Sequence, residues 1–382
     1  MSYSNQDYSD ESNLRFSATR FEQSPYYHLY ANEKTALGMA AGRFYAAWNG
    51  EDIEQTYWNL KQKAVLYDVP EKPWQIEGPD VVAFLEKVFA RRIGNLIEGR
   101  GRYAIACTPK GGTFMDGILF KMDQNRYWYV QPDGAFVEWL LAQSEGFDIT
   151  VSDPNSRVLQ VQGPTSMQLM SDATNGGITS EMKYFHSGFF DIGGQNLYVS
   201  RTGWTGELGY EIYSDNNTDH ERLWNHLFKV GAPHGLTFGG LATMGIRRVE
   251  AGILDNLSDF DASMTPFEAG LGSFIDLDKP DFVGREALLS AHHETLLLGV
   301  KCDIAPEDGA DVVDGNDCVG KITIGTWSPF LKHGIGYVRF NKRGDWADKT
   351  LKLKSSSGAL VDCEILRLPF YDKEKAIPRA EG

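Results

Sequence analysis

The segment Arg201-Thr-Gly-Trp-Thr-Gly-Glu-Leu-Gly-Tyr-Glu-Ile212 constrains this chain more than any other. Its glycines recur at 203, 206 and 209, and the carboxylates Glu207 and Glu211 are interleaved with Trp204 and Tyr210. The alternating run from Asn196 to Ser200 leads in, and Ile212 and Tyr213 lead out. Two alternating runs separated by glycines predict strand, tight turn, strand. Glycine permits positive φ and lets a ligand approach the backbone closely. Aromatic faces beside a carboxylate suit a flat heterocycle bearing N–H donors. A β-hairpin with ordinary surface charge fits the same residues.

Length and composition set the frame. With 382 residues the chain exceeds one compact core, and two or three domains are expected. A formal charge of −15 disfavours a phosphate-tracking surface, so no nucleic-acid partner is expected. Cys107, Cys302, Cys318 and Cys363 form no CxxC and stand at no metal-ligand spacing from histidine. No metal site is therefore expected, and free thiols in a reducing compartment are. No run approaches the roughly 20 apolar residues of a membrane span, and the polar start lacks a secretory pattern. A cytoplasmic protein with no membrane partner is the expectation. Residues 1 to about 20 read as a loose arm.

Two stretches, near 74–131 and 158–213, each read as strand, helix and hairpin. Helices are predicted over 81–89, 136–143, 165–172, 217–230 and 241–253. After Pro280 the texture changes to short strands with glycine turns, which suggests a small antiparallel barrel or jelly roll. The fold class is α+β with an all-β C-terminal domain.

Several motifs in order give a resemblance. Leu159-Gln-Val-Gln-Gly-Pro164 resembles an LxxQGP strand, and the 201–212 segment an RTGYTGExGxEI signature. Arg247-Arg-Val-Glu-Ala-Gly252 resembles an LRLEAG helix. Pro266-Phe-Glu-Ala-Gly-Leu271, with Phe282-Val-Gly-Arg-Glu-Ala-Leu288, resembles PxEAGL…FxGxxAL. Gly320-Lys-Ile-Thr-Ile-Gly-Thr-Trp-Ser-Pro329 resembles a GxVTSGTxSP barrel strand. Over about 60 to 370 the chain is similar to the folate-dependent family typified by the glycine cleavage T-protein, an aminomethyltransferase. The resemblance implies a three-domain cloverleaf around a central funnel that binds tetrahydrofolate. Its domains would be 1–70 with 145–270, then 71–144, then the barrel at 271–382. By motif position Glu211 becomes the pterin carboxylate. Tyr103, Val130, Tyr184, Phe185, Trp204, Arg248 and Trp327 become further cofactor contacts.

The chain also departs from the family pattern. The T-protein carries an Asp-Asp pair after its GG turn. Here Gly111-Gly-Thr-Phe-Met-Asp-Gly117 puts Met115 at the first position and Asp116 at the second. The resemblance implies that the first Asp is the catalytic one, so its loss here argues against aminomethyl transfer. Met244 replaces a folate-holding arginine, and Tyr371-Asp372 replaces a C-terminal arginine expected at the glutamate tail. These changes resemble the family's methyltransferase and demethylase branch, which includes dimethylsulfoniopropionate demethylase. The expected activity is methyl transfer from a small S-, N- or O-methylated substrate to tetrahydrofolate. Aminomethyl transfer and a non-catalytic folate-binding role remain alternatives. Asp116 and Tyr103 are the catalytic candidates; Tyr26, Tyr27, Met115 and Asp116 are candidates for the methyl donor, whose cationic form would suit aromatic faces and a carboxylate. A homodimeric assembly is left open.

Overall fold

The computed structural model describes residues 19–380. The predicted N-terminal arm lies almost wholly outside them. Three sheets organise the chain. A six-stranded sheet takes Ala64–Val69 and Arg157–Gln162 into its middle, flanked by Gly209–Ser214, Asn196–Ser200 and Ser187–Asp191 on one side and Leu236–Phe238 on the other. A five-stranded antiparallel sheet runs from Arg100–Cys107 through Thr113–Asp123, Arg126–Gln131 and Lys72–Glu77 to Thr150–Ser152. Six strands between Leu297 and Leu366 close into an antiparallel barrel, as the glycine-punctuated short runs predict.

Local chemistry explains the main elements. The helix Ile53–Gln62 starts at Asp52, whose side chain accepts from the Gln55 N–H, and it buries Thr56, Tyr57 and Leu60. Val81–Val88 turns Val81, Phe84, Leu85 and Val88 into the core of the second sheet at helical spacing. The hairpin Ala36–Ala40 with Arg43–Trp48 has no strong sequence signal; its turn depends on positive φ at Ala41 and Gly42.

The helix Leu241–Glu250 is buried along its whole length and joins the first sheet to the barrel. Burying Arg247, Arg248 and Glu250 there requires partners. Arg247 Nε lies 2.6 Å from Glu207, Arg248 Nη1 lies 2.6 Å from Asp259, and Glu250 accepts from Tyr57 and Ser328 at 2.7 and 2.5 Å. At its C-terminal end the Tyr337 hydroxyl, from the barrel, lies 3.1–3.2 Å from the carbonyls of Arg248, Val249 and Ile253 and ties the helix end to the barrel.

The glycine segment is longer than a tight turn. Ser200 pairs with Glu211 across the sheet, which leaves residues 201–208 as a loop. Two of its three glycines are fixed by one side chain. A Cβ at Gly203 or Gly209 would fall 2.1 or 2.3 Å from Gln162 Nε2. Gly206 has φ +66° and faces Ala251 of the buried helix.

Candidate functional site

The strand that follows the loop holds Glu211 in a buried position with no ion pair among the described residues. Its Oε2 accepts from Tyr213, Thr202 and Ser200 at 2.6, 2.7 and 3.2 Å. Its Oε1 accepts a single bond, from Gln160 Nε2 at 3.0 Å. No ion pair reaches it among the described residues, and burial raises its pKa. Glu207, four residues earlier, is held by Lys61 and Arg247 at 2.8 and 2.6 Å. The nearer carboxylate is thus neutralised, and Glu211 keeps acceptor capacity for a ligand.

Aromatic groups surround this carboxylate. Tyr184 is close enough for the Glu211 charge, after burial itself, to help push its hydroxyl up to about 12. Its ring meets Phe185 edge-on at 4.6 Å, and Phe185 is held at φ +64° by backbone bonds to Gly101 and Arg201. Trp204 donates its backbone N–H to Gln160 Oε1 at 3.4 Å and lies 4.9 Å beneath the Arg248 guanidinium. Val130 belongs to the apolar cluster that also holds Tyr213 and Met244 and packs against Trp204.

A second centre lies on the strand Thr113–Asp123. Successive side chains of a strand face opposite ways. Met115 turns into the core of the second sheet with Ala104, Ala106 and Tyr129, and is 2% exposed. Asp116 turns the other way, where its Oδ2 accepts from the Tyr103 hydroxyl at 2.8 Å. Its Oδ1 is buried without a hydrogen-bond partner, although the Asn256 amide approaches. Burial, with a smaller contribution from the Asp255 charge, raises the carboxyl to about 6 against the pull of Tyr103 and Asn256. The expected substrate contact Met115 is therefore a core residue, packed on the face of the strand away from Asp116. Position 116, on the opposite face, carries a buried carboxyl beside Tyr103.

Other expected contacts separate. Tyr26 is fully buried in the first core, donating to Ser214 at 2.8 Å and stacking 6.0 Å from Trp224. It is a packing residue, not a donor contact. Tyr27 packs on the same core and against Tyr30. Trp327 sits on the barrel, 44% exposed, with no ring contact to the Glu211 cluster among the described residues. Arg248 is spent on Asp259, although its Nε is buried and unpartnered. Met244 is core. Tyr371 accepts from Lys61 at 2.9 Å and stacks under Arg247 at 4.7 Å, so it completes the Glu207 network.

The structure adds residues that sequence reading passed over. Gln160 donates one amide nitrogen to both Glu211 and Glu71, the latter at 3.2 Å. The charge of Asp255 is felt at both Asp116 and Glu71 and opposes the ionisation of each. The weak signal for Glu71 was the turn Val69-Pro-Glu-Lys-Pro73, where a charged pair is fixed between prolines.

Comparison with known proteins gives a consistent result. The GCVT N-terminal domain model matches residues 23–279, and the glycine cleavage T-protein C-terminal barrel domain model matches 295–372. An aminomethyltransferase of Streptomyces avermitilis is 30% identical over 83% of this chain and 88% of its own length. One from Saccharopolyspora erythraea is 30% identical over 91% of this chain and 98% of its own. The crystal structure of the glycine cleavage system aminomethyltransferase T of Bartonella henselae superposes with TM-score 0.82, at 24% identity, over 92% of this chain and 99% of that one.

Proposed function

This chain belongs to the glycine cleavage T-protein family, and on that premise we propose that it transfers a one-carbon unit from a small cationic amine donor to tetrahydrofolate, in the aminomethyl manner. Tetrahydrofolate is the cofactor of this family. The site residues fit it. A pterin presents N–H donors, and Glu211 is a buried carboxylate with no cation partner and an under-used Oε1. Tyr184 lies near it, and Trp204, whose backbone N–H donates to Gln160, offers a second aromatic ring close by. When bound, the folate would supply the nucleophilic nitrogens that accept the one-carbon unit.

The observation that carries this reading is Asp116. Aminomethyl transfer releases an amine and needs a group that holds or passes a proton. A carboxyl raised to about 6, oriented by Tyr103 and with one free oxygen, has both the position and the acidity for that work near neutral pH. Asp116 and Asp255 also make the surroundings acidic, which favours a cationic donor. Tyr103 orients Asp116 and stabilises its ionised form.

That acidic lining also supports a second reading, methyl transfer from a methylated sulfonium or ammonium such as dimethylsulfoniopropionate or glycine betaine, whose neutral leaving group needs no acid. One experiment separates the two. The protein is incubated with tetrahydrofolate and a panel of aminomethyl, N-methyl, S-methyl and O-methyl donors, and the folate product is identified by mass. A methylene-level product, lost in Asp116→Asn, is the expected result. A methyl-level product that survives Asp116→Asn overturns the aminomethyl reading. Glu211→Gln should weaken reduced-folate binding by about 30-fold or more, the effect of losing a charge-assisted bond of about 2 kcal/mol or more. Unchanged binding removes the pterin assignment.

A further inference from the structure

Glu71 occupies the turn between Ala64–Val69 and Lys72–Glu77, where the chain passes from the first sheet to the second. Its Oε1 is tied to Gln160, and its Oε2 is shut off from water with no hydrogen-bond partner. Gln160 does not neutralise it: the amide is uncharged, and its two N–H groups serve Glu71 and Glu211, one each.

The charged groups around it explain its protonation. Glu211, on Gly209–Ser214, and Asp255, after the buried helix, both oppose ionisation. Arg43 is the cation that favours it, but Arg43 directs Nη1 to the Glu71 backbone carbonyl at 2.8 Å and Nε to Glu22 at 3.2 Å. Burial first and Glu211 second raise the Glu71 carboxyl to about 8. Near neutral pH it is therefore mostly a neutral acid beside an ionisable one. A neutral carboxyl has an O–H to donate, and burying that donor unpaired costs about 1–3 kcal/mol.

We propose that Glu71 is a second pterin-binding residue acting as a hydrogen-bond donor: its protonated carboxyl donates to an oxo or ring-nitrogen acceptor of the heterocycle, while Glu211 accepts from the heterocycle's N–H groups. The two carboxyls, bridged by Gln160, then read opposite polarities on one flat ligand. Ionisation of Glu71 replaces the donor with a negative charge facing an acceptor, so binding weakens as pH rises. The inference rests on the folate reading.

The test is equilibrium binding of 5-formyl-tetrahydrofolate, followed by calorimetry or tryptophan quenching, from about pH 7 to about pH 9.5, a range spanning the raised carboxyl. The wild-type protein should lose affinity above about pH 8, approaching tenfold per pH unit. Glu71→Gln keeps a donor that does not titrate; it should bind within about threefold of wild type at pH 7 and stay flat through pH 9.5. Glu71→Met, of similar size without a donor, should weaken binding about two- to tenfold at pH 7. Wild-type affinity that is flat across the range, or Glu71→Gln and Glu71→Met weakened equally, overturns the role of Glu71 and leaves the folate reading standing. The wild-type profile needs no variant, so a folding defect cannot mask this outcome. Absence of saturable binding at every pH overturns the folate reading itself, and this inference with it.

Discussion

Replacing Tyr103 with phenylalanine removes one hydroxyl and keeps the ring that packs edge-on against Phe274 at 4.7 Å. The hydroxyl donates to Asp116 at 2.8 Å and favours its ionised form. A hydrogen bond to a charged acceptor contributes about 1.5–3 kcal/mol, and one pKa unit corresponds to about 1.4 kcal/mol. The Asp116 midpoint should therefore move from about 6 to about 7–8 in Tyr103→Phe. Titration of the carboxyl by carbon NMR in the unliganded protein measures this without reference to activity, and Asp116→Asn identifies the resonance. Stability should move with it. The folded-state pKa lies above the unfolded value of about 3.9, so the folded state binds more protons between the two. Stability should thus fall as pH rises from about 4 to about 6, by roughly 3 kcal/mol in total, and the decline should extend to higher pH in Tyr103→Phe. Asp116→Asn should remove that decline and be the more stable protein at about pH 8. An Asp116 midpoint that is unchanged or lower in Tyr103→Phe refutes the assignment of Tyr103 as the group that holds this carboxyl.

Two further perturbations test the placement of charge. Met115→Asp puts a carboxylate into the core of the second sheet and should lower unfolding free energy by about 3 kcal/mol or more in urea; near-wild-type stability would mean that position 115 faces the site after all. Glu207→Ala leaves Arg247 buried without its 2.6 Å partner and should cost about 3–5 kcal/mol in thermal or denaturant unfolding, with Glu211→Ala costing clearly less; the reverse order would mean that Glu211 is the structural carboxylate.

Much of this architecture was legible in the sequence because its signals are local. Alternation and helical spacing placed most strands and helices, and the change after Pro280 announced the barrel. The hairpin from Ala36 to Trp48 escaped because alanine, glycine and methionine carry no clear strand pattern. The candidate site was marked in the sequence only where a motif singled out a residue, as with Glu211, Tyr103 and Asp116. Tyr26 misled because an aromatic near a turn reads the same whether it stacks on Trp224 or on a ligand.

The sequence by itself determined the order of elements and the glycine loop that leads into the strand of Glu211. Each follows from the backbone freedom and side-chain periodicity of consecutive residues. Tertiary structure decided which groups remain chemically available. It neutralised Glu207 with Lys61 and Arg247 and left Glu211 without a cation. It turned Met115 inward and Asp116 toward Tyr103. It brought Glu71 to Gln160, 89 residues away in sequence, and so beside Glu211. A carboxyl's charge depends on how much water it loses and which charges approach it. Both are set by segments remote in sequence, and they exist only once the sheets have packed.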